Sequence, residues 1–154
     1  MSDYTPNPFN AEIDGDVKIA IVQAEWNGHI TSALTSHCTK HLKQFGAEVD
    51  IFHVPGAVEL TFGANQVIES GQYDACIVFG CVIRGGTPHF DYVCQSVTQG
   101  ITHLNAECDI PVIFGVLTVD NEQQALDRIG GPHGDKGKEA ADAALKMVRF
   151  MRQF

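Results

Sequence analysis

Short apolar runs alternate with longer amphipathic stretches along most of this chain. Nearly continuous apolar runs predict buried strands, whereas apolar residues that recur every three or four positions predict helices. The predicted strands cover residues 17–22, 49–54, 75–79 and 111–117. The predicted helices cover residues 30–45, 57–69, 88–105, 121–129 and about 136–152. Because a helix follows each strand, we expect a parallel sheet between two helical layers.

This alternation predicts the α/β class, as a three-layer αβα sandwich around a four-stranded parallel sheet. With 154 residues, 44% of them hydrophobic, the chain can bury one sizeable core, so we expect a single domain over residues 1–154. The first residues, 1–15, contain Pro6 and Pro8 and show neither pattern. They are predicted to form an irregular N-terminal arm that packs on another surface.

Net charge and cysteine content indicate which binding partners and which cellular compartment to expect. The formal net charge of −9 disfavours binding to nucleic acid or to an anionic membrane, because both partners reward clustered Lys and Arg. No basic segment with a long apolar run opens the chain, so neither secretion nor membrane spanning is expected. Five cysteines without Cys-x-x-Cys spacing predict reduced thiols in the cytoplasm and no zinc site.

Ligands of open parallel sheets usually bind beyond the carboxyl ends of the strands. Four segments follow the predicted strands there, namely 26–27, 55–59, 81–89 and 118–122. Trp26, the only tryptophan, would stack on a flat heterocycle or else anchor the core or an interface. Glu59 would bind a ligand hydroxyl or simply stabilise the first turn of its helix through the dipole.

The segment from Gly80 to His89 predicts an anion site with an acid/base group beside it. Thr87 is a good N-cap and Pro88 suits the first helical position, so the helix is expected to begin here. Gly85 and Gly86 would let the backbone approach a phosphate at the helix start, although a tight turn without a ligand explains two glycines equally well. His89 lies in the predicted first turn, where it could move protons or merely cap the helix.

The spacing of these glycines is close to that of the nucleotide P-loop, G-x-x-x-x-G-K-[ST]. Gly86 occupies the position of the P-loop lysine. Without that charge, hydrolysis of ATP or GTP is disfavoured, and a single phosphate is the better ligand.

His37 and His41 lie one helical turn apart but lack the Glu of the H-E-x-x-H motif and an evident third ligand. We therefore interpret them as part of a solvated helix face and predict no metal site.

Four motifs in order along the chain resemble those of the lumazine synthase family. They read VPGAVE at 54–59, GCVIRG at 80–85 followed by TPHFDYV at 87–93, PVIFGVLT at 111–118, and KG at 136–137 followed by EAA at 139–141. The resemblance covers nearly the whole chain from about Trp26 onward. It implies a flavodoxin-like fold and the condensation of 5-amino-6-(ribitylamino)uracil with 3,4-dihydroxy-2-butanone 4-phosphate. The product would be 6,7-dimethyl-8-ribityllumazine. This reaction would be the penultimate step of riboflavin biosynthesis, and it would need no metal or organic cofactor.

Carried over by position, the resemblance implies a role for each residue of a shared site. His89 would transfer protons and is the implied catalytic residue. The ribitylaminouracil would be held by Trp26, Asn27, Ala57, Val58, Glu59, Cys81, Val82, Ile83, Phe114 and Lys136. The butanone phosphate would be held by Gly86, Thr87 and Arg128. Of these residues, Phe114, Arg128 and Lys136 would come from the adjacent subunit.

Three positions depart from the commonest family pattern, because Val58 is often Phe, Gly86 is often Ala or Glu, and Cys81 is often Thr. The change at Val58 removes aromatic surface near the ligand, whereas the other two positions contribute mainly backbone groups.

The resemblance also implies a homopentamer, which in some members forms a decamer or a 60-subunit icosahedral shell, with riboflavin synthase as a further candidate partner. The N-terminal arm would then be a candidate to add a strand to a neighbouring subunit. The short connection at 128–136 favours the shell, although Pro132 changes its stiffness. Two other functions stay open, a paralogue that binds flavin or lumazine without catalysis and a structural shell protein.

Overall fold

A computed structural model describes residues 6–154 of the chain. Its six strands are β1 (Lys18–Ala24), β2 (Glu48–Val54), β3 (Ala75–Ile83), β4 (Val112–Val119), β5 (Ile129–Gly131) and β6 (Gly134–Asp135). Its five α-helices are α1 (Gly28–Gln44), α2 (Leu60–Glu69), α3 (His89–Glu107), α4 (Glu122–Leu126) and α5 (Lys136–Met151). A short 3-10 turn, Ala57–Glu59, precedes α2.

The main sheet contains four parallel strands in the order β2-β1-β3-β4. This arrangement confirms the predicted α/β class and the four-stranded parallel sheet, and the strand order is that of flavodoxin-like folds. After β1, the chain forms β2 on one side of β1 and then crosses back to form β3 on the other side of β1. The carboxyl ends of β1 and β3 therefore flank the topological switch point, where ligands of such sheets bind.

Alternate residues of the strands bury opposite faces of the sheet, which explains the continuous apolar runs. Ile19 and Ile21 of β1 pack in the core that includes side chains of α1 and α5. Ala20 and Val22 pack in the second core, with side chains of α2 and α3. The sheet is thus covered on both faces, as the sequence pattern predicts.

Three predicted strand ends are too early. β1 ends at Ala24 and not at residue 22, and β3 and β4 also run further than the apolar pattern suggested. Their pairing continues to Ile83 and Val119, beyond the predicted ends at residues 79 and 117. Gly80 lies within β3 and does not begin a turn. A Cβ there would meet Leu60 Cδ1 at 3.1 Å, so the glycine admits close packing of α2.

The predicted helix over residues 121–129 is also too long. Helix α4 ends at Leu126, and Ile129 begins a two-stranded antiparallel hairpin with β6 that the sequence analysis missed. Gly130 and Gly134 have φ values of 100° and 88°, so the hairpin uses backbone conformations that glycine adopts without strain.

Helix α3 begins one residue later than predicted. Pro88 occupies the N-cap position, and its carbonyl accepts hydrogen bonds from Asp91 N–H at 2.9 Å and Tyr92 N–H at 3.4 Å. Thr87 is therefore not the N-cap, although its hydroxyl accepts a long bond of 3.4 Å from His89 N–H. His89 is the first residue of the helix.

The predicted solvated face of α1 is wrong at its two histidines, because this face packs against α5. His41 Nε2 lies 2.7 Å from the buried carboxylate of Asp142, and His37 Nδ1 lies 3.0 Å from Asp135. Among residues 6–154, no group of three or more His, Cys, Asp or Glu side chains is placed to hold a metal ion.

The arm is irregular over residues 6–15, and Met1–Thr5 lie outside the described part of the chain. Phe9 is buried, with its ring 5.2 Å from that of Phe45 on the same chain. That the arm adds a strand to a neighbouring subunit stays a prediction. Over residues 6–154, no helix is both long enough and apolar enough to cross a membrane.

Candidate active site

A cavity of about 370 Å³ lies at the switch point, beyond the ends of β1 and β3. Three of the four segments predicted at this edge meet there, the exception being 118–122. The cavity is lined by Ala24, Trp26, Asn27, Ala57, Val58, Glu59, Cys81, Val82, Ile83, His89 and Val93.

The floor of the cavity is the protruding end of β3. Its register with β1 stops at Phe79, whereas its register with β4 continues to Ile83. Along Cys81–Ile83, the edge of β3 that faces β1 thus has no partner strand among residues 6–154. Backbone N–H and C=O groups at such an edge are strong hydrogen-bonding groups that a planar ligand can use.

Asn27 ties the loop after β1 to this strand end. Its side-chain amide donates a hydrogen bond of 2.8 Å to the carbonyl of Cys81. Its φ of 57° and ψ of 43° are left-handed, a conformation that Asn tolerates better than most residues. The amide of Asn27 is therefore engaged in holding the site together.

Trp26 stands at the cavity mouth, with 68% of its surface exposed, and is not an anchor of the core of this chain. Its backbone N–H donates to Pro55 C=O at 3.1 Å, which joins the loops after β1 and β2. The indole covers Gly56 so closely that a Cβ on Gly56 would lie 2.6 Å from Trp26 Cε3. An exposed, oriented indole of this kind offers a flat face for a heterocycle.

Glu59 closes the 3-10 turn that forms another wall. Its Oε2 accepts a hydrogen bond of 3.0 Å from Gly56 N–H, so Glu59 has a structural role in this turn. The same side chain also lines the cavity. One carboxylate thus shapes the turn and faces the ligand space.

Gly86 and Thr87 are exposed and are separated from His89 by Pro88, and they do not line the cavity. A Cβ on Gly85 or Gly86 would meet nothing within 4 Å, so neither glycine is required by packing within this chain. The exposed ring of His89 reaches the cavity together with Val93, one helical turn further along α3. An imidazole ring and the exposed backbone of Gly86 and Thr87 thus lie side by side at the start of α3.

Cys81 carries the one thiol in the cavity lining. Burial, together with the nearby Glu122 carboxylate, raises the pKa of the Cys81 thiol to about 11. At neutral pH the thiol is therefore protonated and is a poor nucleophile. Glu122 also contacts His29 across the edge of the sheet.

Phe114, Arg128 and Lys136 do not line the cavity of their own chain. Phe114 is 42% exposed on the edge strand β4. Arg128 Nη1 donates to Gln124 C=O at 2.7 Å, and Lys136 Nζ pairs with Glu139 at 3.0 Å. The structure thus does not bring these three residues together with the rest of the predicted site within one chain.

Two residues that line the cavity, Ala24 and Val93, were not among the predicted site residues, and Gly56 was predicted only as a member of the segment 55–59. Val93 lies four residues after His89, so helical periodicity could have indicated it. Ala24 is the last residue of a strand that proved longer than predicted. No local pattern could have revealed the close contact of Gly56 with Trp26, because it joins two loops.

Comparisons with known proteins identify the family of the chain. Residues 16–152 match the family model described as 6,7-dimethyl-8-ribityllumazine synthase. Proteins of that name from Bacteroides fragilis and Parabacteroides distasonis are each 52% identical to this chain, over 88% and 97% of it and over 96% and 94% of their own lengths. The protein of the same name from Micrococcus luteus is 46% identical over 97% of this chain and 93% of its own length. The chain, with its cavity at the β1 and β3 ends and its family motifs, belongs to the 6,7-dimethyl-8-ribityllumazine synthase family.

Proposed function

We propose that this chain condenses 5-amino-6-(D-ribitylamino)uracil with 3,4-dihydroxy-2-butanone 4-phosphate to form 6,7-dimethyl-8-ribityllumazine, with release of phosphate and water. The observation that carries the proposal is the joining of three features in one cavity. They are the oriented indole of Trp26, the free edge of β3, and His89 beside exposed backbone amides. A bicyclic product made from a flat pyrimidine and a phosphate ester needs all three.

The pyrimidine binds between Trp26 and the end of β3. The indole stacks on its ring, and backbone groups of Cys81–Ile83 bond its polar edge, which makes recognition independent of the side chain at Cys81. Ala57, Val58 and Glu59 flank the ribityl chain. Val58, where relatives often have Phe, contributes aliphatic surface only.

The butanone phosphate binds with its phosphate at Gly86 and Thr87. The amine of the uracil attacks the ketone to give a carbinolamine, whose hydroxyl leaves as water once it accepts a proton. The resulting imine then loses a proton from the neighbouring carbon, and the phosphate departs with the C–O bond electrons. The enol so formed tautomerises to a ketone, which the ribitylamino nitrogen attacks to close the second ring with loss of a second water. His89 would donate the proton that the carbinolamine hydroxyl accepts, and it would accept the proton lost from the neighbouring carbon. Backbone amides at the start of α3 stabilise the departing anion.

The site is completed by a neighbouring subunit. Arg128 would bind the same phosphate, Phe114 would close the aromatic pocket and Lys136 would lie beside it. The support is twofold, since these residues match the family pattern and do not line the cavity of their own chain. We therefore propose a homopentamer, with further assembly into a decamer or a 60-subunit shell and riboflavin synthase as a candidate partner.

A cytoplasmic location is also proposed. All five cysteines are free, which suits a reducing compartment. Small-molecule substrates, and not nucleic acid or membrane, fit the acidic net charge.

The test is to mix the two substrates with purified protein and to follow the fluorescence of the lumazine product. Steady formation above the uncatalysed rate is expected, and sedimentation of the same sample gives the size of the oligomer. Tight lumazine binding by folded oligomer without product formation would contradict the proposal and favour the binding paralogue.

A further inference from the structure

Arg84 is the cation nearest in sequence to the glycine segment at the proposed phosphate site. It follows β3 directly and precedes Gly85 and Gly86. On proximity alone it would be taken for a phosphate ligand. Its contacts indicate another role.

The guanidinium of Arg84 is already occupied by groups of this chain. Its Nε donates to Asp120 Oδ1 at 2.8 Å, and Nη1 lies 3.7 Å from Asp91 Oδ1. Its Cζ lies 4.3 Å from the centroid of the Phe90 ring, a cation–π contact. The hydrogen bond to Asp120 raises the pKa of the guanidinium above its usual value. Two carboxylates thus compete with any phosphate for the charge.

These contacts connect the two ends of the glycine segment. The backbone N–H of Arg84 donates to Val119 C=O at 2.8 Å, which fixes one end to β4. Its side chain reaches Phe90 and Asp91 in the first turn of α3, at the other end. Between these ends, Gly85 and Gly86 are exposed, and a Cβ on either would meet no atom within 4 Å.

We propose that Arg84 is a positioning residue, which holds the backbone of residues 85–88 in the shape that receives the phosphate of the second substrate, and that it does not itself bind this phosphate. The inference rests on the proposed function for the nature of the ligand. Its geometric part, a clamp between β4 and the start of α3, is independent of the reaction.

Removal of the Asp120 carboxylate distinguishes a phosphate ligand from a positioning residue, because the two roles predict different changes in the KM for butanone phosphate. A guanidinium released by Asp120→Ala would bind phosphate better if Arg84 were a ligand, so the KM for butanone phosphate would fall or stay unchanged. If Arg84 is a clamp, its release loosens the segment and this KM rises about threefold, the range of an exposed charged pair. Arg84→Met is expected to raise the KM for butanone phosphate by a similar factor. The double variant, Arg84→Met with Asp120→Ala, should raise this KM no further than either single variant.

The KM for ribitylaminouracil is expected to stay unchanged in all three variants, because Arg84 does not line its cavity. Arg84→Lys keeps the charge but lacks the planar fork, so it should behave like Arg84→Met. Lys18→Met is the matched control, since Lys18 forms an exposed pair with Asp50 at 3.6 Å and stands at the first position of β1. Its KM values should equal those of the wild type.

Backbone hydrogen exchange of the peptide that spans 84–91 tests the clamp without catalysis. Exchange should accelerate in Arg84→Met and in Asp120→Ala but not in Lys18→Met. Unchanged exchange in both variants, or a KM for butanone phosphate in Asp120→Ala that is unchanged or lower, would overturn the inference. A wild-type protein that forms no lumazine would refute the proposed function, while the exchange experiment would still decide the role of Arg84.

Discussion

The contact between Gly56 and Trp26 yields the sharpest prediction about the site. In Gly56→Ala the new Cβ would lie 2.6 Å and 2.9 Å from two atoms of the indole, Cε3 and Cζ3. The backbone of Gly56 is extended, with φ of −149°, so alanine fits it without strain. The substitution therefore acts mainly on the position of the Trp26 ring, because the next nearest atom, Glu59 Oε2 at 3.3 Å, needs to yield by only a few tenths of an ångström.

The size of the effect follows from the distance that the ring must move. To reach ordinary contact at 3.4 Å, the indole must withdraw by about 0.8 Å or swing away. Because Trp26 is mostly exposed, the stability cost should be small, about 1 kcal/mol or less. Misplacement of a positioning group by about 1 Å can cost on the order of a hundredfold in rate, so kcat/KM for ribitylaminouracil should fall about tenfold to a hundredfold.

Kinetics and fluorescence together test this reasoning. As the only tryptophan, Trp26 reports directly on the site, and its emission should change in Gly56→Ala even without ligand. Gly28→Ala is the matched control, since its Cβ would meet nothing within 4 Å. Trp26→Phe should partly rescue Gly56→Ala, because phenylalanine has a shorter ring. Wild-type emission and kinetics in Gly56→Ala would refute the reasoning.

Three further predictions concern other parts of the chain. His89→Ala should slow turnover about tenfold to a hundredfold without abolishing it, since proximity remains, whereas Arg128→Ala should mainly raise the KM for butanone phosphate. If sites are shared, co-assembly of these two variants should restore about a quarter of the wild-type sites, whereas activity no higher than that of the separate variants would exclude sharing. Asp142→Ala, which leaves His41 without its buried partner, should lower the free energy of unfolding in urea by about 1–3 kcal/mol, and an unchanged midpoint would contradict this. Because the pKa of Cys81 in the folded chain is raised to about 11, its contribution to stability is present below pH 9 and is lost as the pH rises through 11. Cys81→Ala should therefore show a shallower alkaline loss of stability than the wild type, and equal slopes would disprove it.

Much of the fold is visible in local patterns. The four apolar runs identify β1–β4, because a sheet covered on both faces requires apolar residues at successive positions. The ends of these elements were predicted less well. Strand β3 continues to Ile83 because β4 pairs with it that far, and pairing between strands distant in sequence leaves no periodic signal.

The site residues also fall into those that local sequence indicated and those that only tertiary contacts revealed. The sequence indicated Trp26, Glu59 and His89 as candidates because parallel sheets bind ligands beyond their strand ends. It left open whether Glu59 is structural, and only the bond to Gly56 N–H showed that it closes the turn. The histidines of α1 were misjudged, since nothing local indicates that Asp142 lies opposite His41.

By itself, the sequence determined the alternation of strands and helices, the parallel sheet, and the placing of His89 at a helix start after two glycines. These features depend on side-chain periodicity and on residues adjacent in the chain. Only the tertiary structure decided that Trp26 rests on Gly56, that β3 extends past β1, and that Arg84 joins β4 to α3. Each of these is a contact between segments distant in sequence, and its geometry depends on how the packed layers bring them together.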